Sequence, residues 1–251
     1  MQLTYTQKQE FYQTGYVKIP GVIPQVMVDA AVRAINASIG QGIDPAQVPI
    51  YQARSFCPEL QREPVITDLF NKTPALALAE SMIGVGKIQA VGAGQIALRF
   101  PTLQDPPNPP RPHLDGMHTP TNGVPAGTIR NFTMLLGIAL SDVTTPYAGN
   151  LTVWPGTHHI YEKYFREEGP QALLKGMPPV EIPQPVQMLA KAGDMIMAHY
   201  ELAHGVAQNV SPHPRFAIYF RLYHVDHDRH GHETMADIWR EWEGMQDIIP
   251  A

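Results

Sequence analysis

The spacing of apolar residues changes character along this chain, from a helical period in the first third to strict alternation afterwards. Residues 6–14 read as a short helix, with Thr6 as cap, Gln9 at the reciprocal capping-box position and Gly15 at the exit. Tyr16-Val17-Lys18-Ile19 alternates as a short strand. Pro24, at a first helical position, opens a stronger helix whose stripe is Val26, Met27, Ala30, Ala31, Ala34 and Ile35, and Gly40 ends it. Residues 41–63 show no period. A helix pair covers roughly 64–83, with Thr73 as cap, Pro74 next and Gly84 as terminator. These apolar faces need a sheet to cover.

Later segments supply that sheet. In 95–100, Ile96, Leu98 and Phe100 oppose Gln95, Ala97 and Arg99. In 131–140, Phe132, Met134, Leu136, Ile138 and Leu140 oppose Asn131, Thr133, Leu135, Gly137 and Ala139. In 215–222, Phe216, Ile218, Phe220 and Leu222 oppose Arg215, Ala217, Tyr219 and Arg221. Gly193-Asp194 turns into a further apolar strand, 195–198. One face of each alternating strand is bulky; the other is small and polar and bears arginines, as a wet barrel interior would. After a polar link, Met235, Ile238, Trp239 and Trp242 form a stripe that predicts a C-terminal helix over about 231–245. The expected fold is mainly β with flanking helices: one domain over 1–251, helical to about 84, a sandwich or barrel over about 85–223, then that helix.

Composition narrows the class. A net charge of −5 without a basic block argues against nucleic acid as a partner, and no apolar run is long enough for a bilayer. The first residues lack the charged and apolar regions of a secretory signal. The single cysteine, Cys57, excludes an intrachain disulfide and suits a reducing compartment, so the expectation is a cytoplasmic protein without a membrane partner. Proline has about twice its usual share; six prolines between Pro101 and Pro112 suggest a stiff lid beside a site.

Behind that run stands His113-Leu114-Asp115. An imidazole and a carboxylate one residue apart on an extended chain point to the same side, and a distal His204 would complete a metal face with open positions. His199 and Glu201 have the same spacing and compete for the same role with His204, although all their donors would come from six consecutive residues. His158 and His159 follow a Trp-Pro-Gly-Thr turn and read as capping or exposed. His224, His227, His230 and His232, with Asp226 and Asp228, read as a solvated polar loop. Arg215 lies on the polar face of its strand, where its fork matches a carboxylate; a dicarboxylate such as 2-oxoglutarate could chelate the metal at one end and meet Arg215 at the other. Thr133, Asn131 and Gln95 are candidates to hydrogen-bond the same ligand. Arg99, Arg221 and Arg111 are candidates for an anionic substrate group.

This set resembles the phytanoyl-CoA dioxygenase family of Fe(II)/2-oxoglutarate-dependent oxygenases, from Phe11-Tyr12-Gln13-Thr14-Gly15-Tyr16-Val17 to the strand ending near Tyr223. The family's His-x-Asp corresponds to His113 and Asp115, and its Gly-Asp strand followed by His-Gly to Gly193-Asp194 and His204-Gly205. Its Asn-x-Ser followed by Arg corresponds to Asn209, Ser211 and Arg215, and its Pro-Gly-Ser/Thr-His turn to Pro155-Gly156-Thr157-His158. The resemblance implies a double-stranded β-helix (jelly-roll, cupin-like) core and a site using Fe(II), 2-oxoglutarate and O2 on a small-molecule substrate. It assigns the ligands to His113, Asp115 and His204. Where some members carry Ser or Thr two residues after the distal histidine, this chain has Val206. Halogenating relatives lack the carboxylate ligand; Asp115 is present, so hydroxylation with release of succinate and CO2, or another oxidation such as desaturation, is expected over halogenation. A cupin-like metal isomerase or hydrolase, and a non-catalytic binding module, are the competing readings.

Overall fold

In the computed structural model, which describes residues 1–250, the strands fall into two sheets. Helix α1 (Tyr5–Thr14) and strand β1 (Tyr16–Ile19) lead into α2 (Gln25–Ile39), α3 (Val48–Ala53), α4 (Pro64–Asn71) and α5 (Pro74–Ile83). There follow β2 (Gln95–Arg99), β3 (Met134–Ala139), β4 (Leu151–Val153), α6 (Thr157–Glu168), β5 (Val186–Gln187), β6 (Met195–His199), β7 (His204–Val206), β8 (Arg215–Leu222) and the single turn α7 (His227–His230). The larger sheet has the order β1-β6-β3-β8-β2 and is antiparallel throughout; the smaller is β5-β4-β7. No helix among the described residues is long and apolar enough to cross a membrane.

Alternation decides which side each strand residue serves. Ile96, Leu98, Met134, Leu136, Ile138, Ile218, Phe220 and Leu222 pack with Phe11, Ile35, Ile66, Leu69 and Met82 from the N-terminal helices. Burying each such side chain contributes about 1.5–3 kcal/mol, which anchors the helical layer on the outer face of the larger sheet. The other face meets the smaller sheet through a second cluster that includes Leu135, Ile196, Ala198, Leu151 and Val153. The chemistry-bearing residues stand between the two sheets.

Several expectations need correction. The cap of α1 is Thr4, whose hydroxyl accepts from Gln7 N while Gln7 Oε1 accepts from Thr4 N, so the capping box lies two residues earlier than Thr6 and Gln9. The buried stripe of α2 is Val28, Ala31 and Ile35, and Val26 is exposed. The stretch 41–63 contains a 3₁₀ turn, Pro45–Gln47, and α3. The helix α6 begins in what the sequence suggested was only a turn; it buries His158, Tyr161 and Phe165 at helical spacing.

The C-terminal helix does not form. Residues 231–245 run through two short 3₁₀ turns, Gly231–Met235 and Glu243–Met245, with irregular turns between. Its apolar residues still bury, but in different places: Met235 joins the inter-sheet cluster and Trp242 the helical layer. A single helix face could not serve both. Gly244 permits the close pass, since a Cβ there would lie 2.3 Å from Ser81 O.

Candidate active site

The site begins with a backbone contact. His113 and His204 form an isolated antiparallel bridge, with His113 N donating to His204 O at 2.8 Å and His204 N to His113 O at 3.1 Å. Opposed residues in such a pair carry their side chains on the same face, and the ring centroids are 4.5 Å apart. Asp115, two residues along, returns to that face. Its Oδ1 lies 3.5 Å from His113 Nε2 and 3.6 Å from His204 Nε2. The bridge needs Gly205 beside it, because a Cβ there would stand 2.3 Å from Arg111 O.

Neighbours orient each donor. His204 Nδ1 donates to Leu202 O at 3.0 Å, leaving the Nε2 lone pair for the cluster. Asp115 Oδ2 accepts from Arg221 Nε at 3.0 Å and Nη2 at 2.7 Å, which leaves Oδ1 facing the histidines. Burial opposes the charge on Asp115, but Arg221 and then the two histidines overcome it and hold the carboxyl well below the usual carboxylate range. Burial also disfavours a charged His204, yet the hydrogen bond and charge of Asp115 raise its pKa. His113 keeps about half its side-chain surface open. Desolvation by the cavity walls, then the neighbouring His204, lower its pKa and favour the neutral ring that a metal requires. His113, Asp115 and His204 therefore form a cluster with metal-ligand spacing.

These three groups open onto a cavity of ≈390 Å³ between the sheets, within the ordinary range of about 300–1,000 Å³ for small-molecule sites. Its walls include Gln95, Arg99, Leu135, Arg215, Tyr219 and Arg221 from the larger sheet and Leu151 and Val206 from the smaller. Arg99 and Arg215 stand directly opposite each other across β2 and β8. Arg215 is 4% exposed, and no carboxylate among the described residues pairs with it. Its Nε donates to Gly149 O at 2.8 Å and its Nη1 to Ala97 O at 3.1 Å, while the buried Nη2 has no partner. Burial, then the charge of Arg215, depress Arg99 to about 10. Gln95 Oε1 accepts from Arg221 Nη1 at 2.8 Å.

Not every candidate reaches this cavity. Regular pairing of β3 starts at Met134, so the alternation read over 131–140 does not extend to Asn131, Phe132 and Thr133. Phe132 joins the inter-sheet cluster instead of the outer core. Asn131 Nδ2 donates to Gly231 O and Thr234 Oγ1, each at 2.8 Å, and the Thr133 hydroxyl donates to Glu241. Both serve the C-terminal segment and neither lines the cavity. Arg111 is exposed, and the 101–112 run does not line the cavity either; Gln208 ties it down through Thr102, Gln104 and Asn108. Leu114, Gly116, Met117, His118, Thr119 and Asn122 supply that wall.

The rival pair is also turned away. His199 faces Ile238 O at 3.0 Å and accepts from Glu201 N, and both carboxylate oxygens of Glu201 are buried without a partner. His158 is likewise buried rather than exposed, with Nε2 2.9 Å from Tyr12 O. Tyr219 is a cavity residue whose role the sequence reading missed. Its signal was period two from Arg215, with the ring 6.0 Å from the Arg215 guanidinium carbon.

A family model described as phytanoyl-CoA dioxygenase (PhyH) matches residues 11–217. The chain belongs to the phytanoyl-CoA dioxygenase family. Phytanoyl-CoA dioxygenase chemistry uses Fe(II), 2-oxoglutarate and O2, which sets the general kind of enzyme as an Fe(II)/2-oxoglutarate-dependent oxygenase. No curated protein sequence matches significantly. Among solved structures, HygX from Streptomyces hygroscopicus with nickel, 2-oxoglutarate and hygromycin B bound is 17% identical, covers 88% of this chain and 87% of its own, and has a TM-score of 0.57. EctD from S. alaskensis, in its apoform, is 18% identical over 88% of this chain and 77% of its own, with a TM-score of 0.58. The carbocyclase SnoK from nogalamycin biosynthesis is 19% identical over 88% and 84%, with a TM-score of 0.50. At such identities the likeness is one of fold.

Proposed function

We propose that this chain hydroxylates an unactivated C–H bond of a small molecule, with 2-oxoglutarate leaving as succinate and CO2. The observation that carries this reading is the unpartnered, buried Nη2 of Arg215, a residue that lines the cavity also holding His113, Asp115 and His204. A buried guanidinium donor without a partner is costly, and its fork matches a carboxylate. Two imidazoles and one carboxylate, with open positions towards a cavity, suit Fe(II). Together they fit a ligand with a chelating keto-acid at one end and a carboxylate at the other.

In this reading His113 Nε2, Asp115 Oδ1 and His204 Nε2 hold the metal. Arg215 binds the remote carboxylate of 2-oxoglutarate. Tyr219 supplies the hydroxyl that Val206 cannot, and Gln95 acts through Arg221 to steady Asp115. Fe(II) with 2-oxoglutarate and O2 provides the oxidising power, while the protein supplies orientation, an anion clamp and a cavity that limits water. Asp115 occupies the position a halide would need, which favours hydroxylation over halogenation. The two facing antiparallel sheets are read as a double-stranded β-helix forming one catalytic domain. A metal isomerase or hydrolase without 2-oxoglutarate would have no use for Arg215.

The test is a screen of small molecules for substrate-dependent succinate formation, coupled to product mass. Gain of one oxygen atom per succinate is expected. Stoichiometric loss of two hydrogens, or conversion independent of 2-oxoglutarate, would overturn the hydroxylase assignment.

A further inference from the structure

The polar link after β8, expected to be solvated, folds inward onto one acidic residue. His224, His227 and Glu241 are buried, and the His230 side chain is only 12% exposed. His230 Nδ1 lies 3.0 Å from Glu241 Oε1, and His227 Nδ1 lies 3.0 Å and 2.9 Å from its two oxygens. The rings of His224 and His230 are near parallel, 22° apart, with centroids at 5.9 Å. His224 Nε2 is buried and has no hydrogen-bond partner. The donor atoms of His224, His230 and Glu241 all lie within 4.8 Å of one another. None of these residues lines the cavity.

We propose that His224, His230 and Glu241 form a second divalent-metal site, structural in role and of the zinc class. Two imidazoles and a carboxylate, nearly closed to solvent, are a donor set for zinc; calcium and magnesium prefer all-oxygen sites. Thr133 and His227 hydrogen-bond Glu241 and orient it, as second-layer partners do around a metal ligand. His224 Nδ1 accepts from Asp226 N at 3.0 Å, so the ring proton sits on Nε2, where Glu243 Oε1, at 3.7 Å and itself paired with Lys87, is beyond hydrogen-bond reach. A metal at Nε2 would move that proton to Nδ1 and exchange the bond from Asp226 N for a contact with Asp226 Oδ2, now 4.0 Å away. The ion would staple the C-terminal segment, through Glu241, to the end of β8. The ordering of this segment without a continuous helix is then accounted for.

The test uses the full chain carrying Asp115→Ala and His204→Ala, so that the first site is silent whatever its function. After chelation and dialysis against Zn(II), one equivalent of zinc retained per chain is expected, together with a rise in Tm on zinc addition. Co(II) in its place should give the intense visible absorption of a four-coordinate ion. Adding Glu241→Gln should weaken retention at least tenfold and abolish the Tm rise; His230→Gln, at the edge of the cluster, serves if that variant does not fold. Absence of stoichiometric zinc and of any Tm change would overturn the proposal and leave a metal-free histidine–carboxylate cluster. Zinc retained unchanged in the Glu241→Gln and His230→Gln proteins would overturn it as well.

Discussion

Arg221 places two donors on one oxygen of Asp115 and a third on Gln95, which leaves the other Asp115 oxygen free for the histidines. Partners that orient metal ligands are commonly worth roughly 10- to 100-fold in metal affinity. Arg221→Met should weaken Fe(II) binding by that order in an anaerobic chelator-competition titration, with Arg221→Lys intermediate because an ammonium cannot present the same fork. Unchanged affinity in both variants would reduce Arg221 to a packing residue. Glu201 offers a test of a different kind. It is fully buried and both its oxygens lack partners; burial, then the charge of Glu162, raise its pKa well above the ordinary value. The folded chain therefore keeps a proton that the unfolded chain releases as pH rises past the normal glutamate range. The stabilisation is complete below the unfolded pKa and is lost as pH climbs, by at most about 1.4 kcal/mol per pH unit. Glu201→Gln cannot ionise and should flatten this decline in Tm measured between about pH 5 and pH 8. Parallel profiles for the two proteins would show that Glu201 does not titrate between folded and unfolded states.

At the scale of elements, the site is a strand pairing before it is a set of ligands. Gly205→Ala forces a Cβ against Arg111 O and should push the 111–113 segment away from β7. Overpacking of this sort costs roughly 1–3 kcal/mol, and here it should also weaken Fe(II) binding. Gly127→Ala is the control: its φ of +75° is strained but nothing lies within 4 Å, so it should cost only about 1 kcal/mol and leave metal affinity unchanged. Equal metal affinity in both variants would show that the His113–His204 bridge does not set the ligand geometry. The clustering of His113, Asp115 and His204 was only half legible: one-residue spacing on extended chain offered it beside the His199/Glu201 pair, and the family resemblance chose between them. Gln95, Arg99, Arg215 and Arg221 were legible because their strands stay in the ladder. Asn131 and Thr133 were misplaced because alternation carries no information before the ladder begins at Met134. The rival His199 and Glu201 share the right spacing, but a tight turn sends them into the core, and spacing alone does not register that.

The whole molecule is wrapped by segments that carry little regular structure. Trp242 reaches back to Phe11, with ring centroids 5.0 Å apart, and Glu241 sits at one end of the larger sheet, between Thr133 just before β3 and His227 beyond β8. Apolar periodicity at 235–242 announced burial correctly, but not that the buried residues serve two separate cores. The fold is compatible with more than one outcome: the similar structures include a carbocyclase and an epimerase from nogalamycin biosynthesis, so the reaction must be argued from the cavity and not from the architecture. The proposed function requires this cavity to bind 2-oxoglutarate through a metal and Arg215. It is tested most directly by anaerobic calorimetric titration of 2-oxoglutarate into Fe(II)-loaded and metal-free protein, with Asp115→Ala and Arg215→Ala alongside. One-to-one binding is expected that requires Fe(II), disappears in Asp115→Ala and weakens at least about tenfold in Arg215→Ala, as loss of a charge-assisted pair should. Binding that is absent from the Fe(II) protein, or identical with and without the metal, would contradict it.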